Sequence, residues 1–579
     1  MAIGKRIYTP EEPIGKLRRA QLVTSFGPGA MVDLPDMSVV VGATDHWSRK
    51  CRPVSDRNLE LLLGVKRFKE PVAAYADEKE CTVPVRRFPD WHYCPKCGKL
   101  DRYWILAKED KKTCSQCGVP LIPSRFVVAC ENGHLDDFPY RWWVHRGEDC
   151  SSKAPLRITF SKETRGIEGI LIECPACGAN RTMAGCTSID ALSGRRCFGK
   201  RPWIGKKDED PEPCTCDLHV VQRTASNAYY PITVSALTIP PTASSVVEEH
   251  WPQISALVAQ NLDEASFRMM LGVILAGEAL SDSAVDEILY EIKLKGSDAG
   301  RAEITKQRIY QSEYHALVGE DFNGLQFKTK HVAVPSGYEE LIEDVVLVKR
   351  LREVLVLEGF RRISPEPTGS SRPMAGLSKE KLDWLPGVEL LGEGVFIKLN
   401  GGAVSDWAER VGDRYGRMKR RLESSNVRCD NYSPQYVLLH TLSHAMIRQL
   451  SMECGYSASS ISERIYSTYP GDDYKMCGIL LFTSSSDSDG SLGGLVRRGR
   501  PENLRITLDE ALANAEWCSS DPLCIESLEQ GYKSLNYAAC HACALLPETS
   551  CEMRNCLLDR VALVGTPERP KLGYFSTKF

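Results

Sequence analysis

Two C-x2-C pairs, Cys94/Cys97 and Cys114/Cys117, stand sixteen residues apart in the strings YCPKCGK and TCSQCGV. Four thiolates carried on two tight turns suit a tetrahedral zinc site, and the glycine after each second cysteine lets the turn aim backbone N–H groups at sulfur. The spacing predicts a structural zinc. A site with four protein thiolates keeps no position open for substrate, so this chemistry points to architecture and binding before catalysis.

Further donors follow along the chain. ACENGHLDDFPYRWWVHRGEDC offers Cys130, His134, His145 and Cys150 as a C-x3-H-x10-H-x4-C array, a mixed donor set for a second zinc. Cys174 and Cys177 in ECPACGA form another knuckle, to be completed by two of Cys186, Cys197, Cys214 and Cys216; Cys197 and Cys214 are the preferred partners, with the other two as substitutes. Near the C-terminus Cys518, Cys524, Cys540, Cys543 and Cys551 exceed by one the four thiolates a single zinc needs, and Cys540/Cys543 anchor that set. About four structural zinc ions are expected, three in the first cysteine-rich stretch and one in the last.

Catalytic patterns are incomplete. His440 and His444 stand four apart, the spacing of metallohydrolase helices, but Thr441 follows the first histidine where that motif has its glutamate base. The preferred reading is a core helix ended by Gly455, with both imidazoles bonded to nearby backbone. The alternative is a metal-dependent hydrolase or nuclease using His440, His444 and the Asp487/Asp489 loop. The glycines of Ser25-Phe26-Gly27-Pro28-Gly29 come without a lysine, and Pro28 removes a backbone donor, so this segment reads as a tight turn and not a phosphate cradle. No catalytic residue and no cofactor beyond zinc is assigned, and ATP hydrolysis is expected on another chain.

The surrounding elements must hold these donors. Of 23 cysteines in 579 residues, twelve fall between Cys94 and Cys216 and six between Cys518 and Cys556; such clustering, with an odd total, fits metal binding in a reducing cytoplasm better than a disulfide framework. The first twenty residues lack the apolar core of a signal peptide, and the run MMLGVILAG at 269–277 is too short to span a bilayer, so no membrane association is expected. A net charge of −3 excludes a strongly basic nucleic-acid glue but allows a local basic surface.

The expected fold is a multidomain α+β arrangement: an N-terminal segment over 1–80, a zinc module held together by metal over 81–235, a helical segment over 240–330, a mixed region over 331–425 and a mixed α/β zinc-binding domain over 426–579. Helical periodicity is read over 336–363, a strand over GEGVFIKLN, and a buried strand from Ile479 to Phe482 leading into a Ser/Asp/Gly loop. SDWAERVGDRYGRMKRRLESS reads as a basic helix whose Arg414, Arg417 and Arg421, with Arg410, share a face that could lie on a DNA backbone.

At the C-terminus CHAC, PETSCE, Asn555 and LDR at 558–560 resemble the zinc-binding domain attached to many bacterial DNA helicases, including MrfA-type repair helicases. HTLSHAMIRQLSMECGYSASSISERIY, ILLFTSSSDSDGSLGGLV, the opening RRAQLVTSFGPGAMVDLPD and CENGHLDDFPYRWWVH resemble the DrmB family, the B component of the DISARM anti-phage system. The resemblance runs through most of the chain and is weakest over 240–330. It implies a partner role with DrmA, a separate helicase chain carrying the ATPase motifs, the pair engaging DNA. Together with the zinc knuckles, the basic helix and the incomplete catalytic patterns, the leading reading is a non-catalytic subunit that docks on that helicase and helps engage DNA.

Overall fold

The computed structural model describes residues 14–35, 37–47, 51–71, 83–108, 112–148, 150–205, 211–239, 247, 250–260, 262–276, 285, 288–289, 292, 305–324, 326–365, 374–425, 427–485 and 493–576. The fold is α+β. Its centre is an eight-stranded sheet in which Tyr230–Thr238, Ile342–Arg361, Trp384–Leu399, Cys477–Ser485 and Ile461–Ser467 lie side by side, all antiparallel. Lys328–Val332 pairs with the first half of Ile342–Arg361, and Arg67–Glu70 joins the start of Trp384–Leu399 in parallel. One sheet thus takes strands from both sides of the 425/426 boundary.

Ile342–Arg361 corrects the expectation of a helix over 336–363. Alternation is weak there because both faces of the sheet are covered. Val345 and Leu347 point into one core, Val346 and Val348 into the other. A strand buried on both sides reads as a continuous apolar run, and its β-branched residues favour the extended backbone.

Three helices cover the first face: Gly401–Ser424, Pro434–Cys454 and Pro501–Glu516. Asn400 starts the first by accepting from the N–H groups of Gly402 and Ala403, and the side chains of Val404, Trp407, Val411, Tyr415, Met418 and Leu422 form its buried stripe. Ser433 caps the second through the Tyr436 N–H, Pro434 occupies its first turn, and Gly455 ends it at φ 70°. The opposite face of the sheet is covered by Lys306–Val318 and Arg57–Leu63. Two helices of the 240–330 stretch, Trp251–Val258 and Glu264–Ile274, pack around their own small cluster of Ile254, Leu257 and Leu271.

The cysteine-rich stretch is built differently. Its six-stranded sheet runs Asn180–Thr182, Ile170–Glu173, Leu156–Phe160, Lys99–Arg102, Trp91–Tyr93 and Ile122–Pro123, and a three-stranded sheet of Leu135–Asp137, Phe126–Ala129 and His219–Gln222 lies beside it. Arg362, wholly buried at the end of the long strand, joins this stretch to the central sheet by donating to the carbonyls of Gly133 (2.8 Å), Gly29 (2.7 Å) and Ala228. The turn at Gly29, with φ 85°, lies so close to the Phe360 ring that a Cβ there would sit 2.5 Å away. Among the described residues no helix is long and apolar enough to cross a membrane.

Candidate metal centres

Cys94 follows the strand Trp91–Tyr93 and Cys97 precedes Lys99–Arg102, so the first knuckle is the turn of a hairpin. Gly98 takes φ 70°, its N–H reaches the Cys94 carbonyl at 2.9 Å, and the Cys97 N–H points at the Cys94 sulfur. Cys114/Cys117 repeats the turn with Gly118, and the four sulfurs converge, Cys97 and Cys114 standing 4.0 Å apart. Zn–S bonds of about 2.3 Å place sulfurs of a tetrahedron about 3.8 Å apart, which this set matches.

The next two groups differ from the expected grouping. Cys130 and His134 do not join His145 and Cys150. They meet Cys197 and Cys214, with His134 Nδ1 lying 3.4 Å from the Cys130 sulfur and 3.6 Å from that of Cys197. His145 and Cys150 instead complete the Cys174/Cys177 knuckle, His145 Nε2 lying 3.3 Å from the Cys177 sulfur. Strand order explains the exchange. Cys130 and His134 flank the hairpin turn between Phe126–Ala129 and Leu135–Asp137, whereas Cys174 and Cys177 sit in the turn joining Ile170–Glu173 to Asn180–Thr182 in the other sheet. The helix Tyr140–Val144, directly before His145, packs on those last two strands.

Both histidines have their second nitrogen engaged, as zinc-bound imidazoles require. His134 Nε2 faces the Glu212 carboxylate at 3.1 Å, and His145 Nδ1 donates to the Arg141 carbonyl at 2.7 Å. Without metal the Cys130 thiol resists ionisation: the neighbouring Cys197 sulfur, then burial, push it up to about 12. Burial acts to lower His134, but the Cys130 sulfur and Glu212 outweigh it and raise it to about 9. A divalent cation removes this conflict by taking the thiolates as ligands.

The C-terminal set selects four of the five expected cysteines. Cys518, Cys524, Cys540 and Cys543 converge, with sulfur separations of 3.5 Å for Cys518–Cys540 and 3.7 Å for both Cys524–Cys543 and Cys540–Cys543. These are tetrahedral zinc–thiolate edges. Asp521 shapes the first loop by accepting from the N–H groups of Cys518 and Ile525, and buried Arg560 pairs with Asp521 beside the thiolates. None of the cysteines in these four groups is in a disulfide.

Cys551 lies elsewhere, which corrects its place in that set. It reaches the helix Pro434–Cys454, where its sulfur is 3.2 Å from His440 Nε2. The expectation that both histidines bond to backbone holds for His444, whose Nδ1 donates to the Ala544 carbonyl at 2.9 Å, but not for His440. Both Nε2 atoms turn to Glu463 on the strand Ile461–Ser467, at 3.1 and 3.7 Å. Glu463 went unseen in the sequence; its only signal is a carboxylate within the otherwise buried strand ISERIYS. Asp487 and Asp489 lie outside the described residues.

The three nominated arginines part company. Arg414 and Arg421 flank the apolar stripe of their helix and reach over its edge into the protein: Arg414 donates to wholly buried Asp559 at 2.8 and 3.1 Å, and Arg421 to the Leu528 carbonyl and Glu529. That removes Arg414 from the open face. Arg417 is exposed, as are Arg410, Lys419 and Arg420.

Residues 18–230 match a family model described as a domain of unknown function (DUF8724), which spans the first three cysteine and histidine groups. Residues 442–544 match the MrfA Zn-binding domain, which contains the four-cysteine group at 518–543. A curated relative, the DISARM protein DrmB of Bacillus paralicheniformis, is 32% identical over 563 residues, covering 92% of this chain and 98% of the relative. The chain belongs to the DrmB family of DISARM proteins. In this DrmB-family chain the donors at Cys518, Cys524, Cys540 and Cys543 fit the zinc that the MrfA-type domain is named for.

Proposed function

We propose that this chain is a non-catalytic, zinc-organised subunit of a cytoplasmic anti-phage complex, which docks on a DrmA-like helicase/ATPase chain and helps it engage DNA. The observation that carries the reading is the outer face of the helix Gly401–Ser424, where Arg410, Arg417, Lys419 and Arg420 stand exposed on an element whose inner face is anchored in the main core. A rigid helix with a basic outer face suits phosphate contacts, which position a protein on DNA without reading sequence. In the four cysteine-dominated groups, zinc with four protein donors would shape the chain and offer no position to substrate. Cys94, Cys97, Cys114 and Cys117 would hold one ion; Cys130, His134, Cys197 and Cys214 a second; His145, Cys150, Cys174 and Cys177 a third; Cys518, Cys524, Cys540 and Cys543 a fourth.

The test compares the chain alone, the chain with an ATPase partner, and the pair carrying Arg410→Ala, Arg417→Ala and Arg420→Ala. DNA affinity should fall and its salt dependence flatten in the triple variant, by about one unit of log–log slope for each phosphate no longer neutralised. Unchanged affinity and slope would assign this face to solvent. ATP hydrolysis by the chain alone would overturn the non-catalytic part of the reading.

A further inference from the structure

His440, His444, Glu463 and Cys551 come from three separate elements and meet inside the main core. All four residues are buried, and one donor atom from each lies within 4.8 Å of the other three. We propose that these two histidines, the glutamate and the cysteine hold a fifth zinc ion, which clamps the C-terminal loops to the central sheet.

The separations suit one ion. His440 Nε2 is 3.1 Å from Glu463 Oε1 and 3.2 Å from the Cys551 sulfur, and His444 Nε2 is 3.7 Å from the same carboxylate oxygen. Zinc bonds of about 2.0 Å to nitrogen and oxygen and about 2.3 Å to sulfur give tetrahedral edges of about 3.3 to 3.6 Å. The supporting contacts also aim the donors inward. His444 gives its Nδ1 proton to the Ala544 carbonyl, which leaves the Nε2 lone pair for the site. The Glu552 N–H holds Glu463 Oε1 at 3.1 Å, and the Asn555 N–H holds the Cys551 sulfur at 3.1 Å.

One of the donor atoms lacks what a metal would supply. His444 Nε2 is buried and has no hydrogen-bond partner; His440 Nδ1 and Glu463 Oε2, outside the proposed donor set, have none either. Charge points the same way: one thiolate and one carboxylate neutralise a divalent ion, so the filled site is neutral within an apolar core. On binding, the Cys551 thiol proton leaves to solvent. Two imidazoles, a thiolate and a carboxylate in a tetrahedral array select zinc over calcium or magnesium, which take oxygen donors in larger shells.

The enclosure sets the role. Each of the four side chains is buried, so the ion has no path for substrate and acts as a fastening, distinct from the hydrolase suggested by the histidine spacing. Cys551 shares no donor with the four-cysteine group, and its loop is the segment that follows Cys543. The fifth ion would therefore tie that loop to the histidine helix and to the edge strand of the sheet.

Elemental analysis of the full-length protein should give five zinc ions per chain, falling to four in Cys551→Ala. Because that variant can fail to fold, crystals of the unaltered protein supply the second measurement: anomalous difference density at the zinc edge should appear between His440, His444, Glu463 and Cys551. Density at the four cysteine-dominated groups with none here, or an unchanged zinc count in folded Cys551→Ala, would overturn the proposal.

Discussion

The cysteine-rich stretch and the central sheet solve the same problem with different means. In the first, strands run two to five residues, and the apolar clusters built from them include cysteines of the candidate metal groups. In the second, a strand of twenty residues and three long helices bury a continuous core, and the remaining donors sit within that core or at its edge. Shorter strands bury less apolar area per element than a two-sided sheet, so metal bound at these groups would contribute more to ordering the first region than the second.

The largest effect should come from removing metal. Apparent binding energies of structural zinc are about 10 kcal/mol or more per site, so a strong chelator should abolish hydrogen-exchange protection in the strands between Trp91 and Gln222 while Ile342–Arg361 stays protected. Equal loss in both regions would mean that they fold as one unit. Next, Asp559→Ala strikes the core side. It strands Arg414, buries the Tyr415 hydroxyl without its acceptor, and should cost about 3–5 kcal/mol in denaturant unfolding. Zinc in the first three groups should remain unchanged.

Arg362 tests the link between the two. Arg362→Met leaves the Gly29, Gly133 and Ala228 carbonyls without their charged donor and should destabilise by about 3 kcal/mol. Limited proteolysis should then cut the cysteine-rich stretch sooner than the sheet. Acidity sharpens the contrast further. With Cys130 held at about 12 and His134 at about 9 in the absence of metal, both carry protons at neutral pH that binding must displace. Zinc affinity should therefore rise with pH, about tenfold per unit for each proton displaced, and fall in acid. Competition titrations with a zinc indicator measure the slope, and a flat profile would mean that this group ionises before it binds. The smallest effect belongs to Arg417→Ala, exposed on the helix that Arg414 anchors: stability should change by no more than about 0.5 kcal/mol. A larger loss would place Arg417 in the core framework with Arg414.

The amphipathic helix over Gly401–Ser424 was legible from its own periodicity, and the strand at Ile479 to Phe482 from a short apolar run that ends in a Ser/Asp/Gly loop. Ile342–Arg361 was not, since a strand covered on both faces loses the alternation that distinguishes it from a helix. The arginine stripe shows the same limit at finer scale. Helical spacing placed Arg414 and Arg421 beside Arg417 but could not show that Asp559 and Glu529, more than a hundred residues on, would pair with them, or that buried Asp559 would draw Arg414 away from solvent.

The donor residues and their local pairs belong to the sequence alone: a C-x2-C-G turn is closed by its own backbone, with glycine at positive φ, whatever the rest of the chain does. Which pairs come together was decided by tertiary structure. Cys130/His134 met Cys197/Cys214, His145/Cys150 met Cys174/Cys177, and Cys551 left its cysteine neighbours for His440, His444 and Glu463. A tetrahedron needs donors from segments tens of residues apart, and only strand order and helix packing bring those segments together.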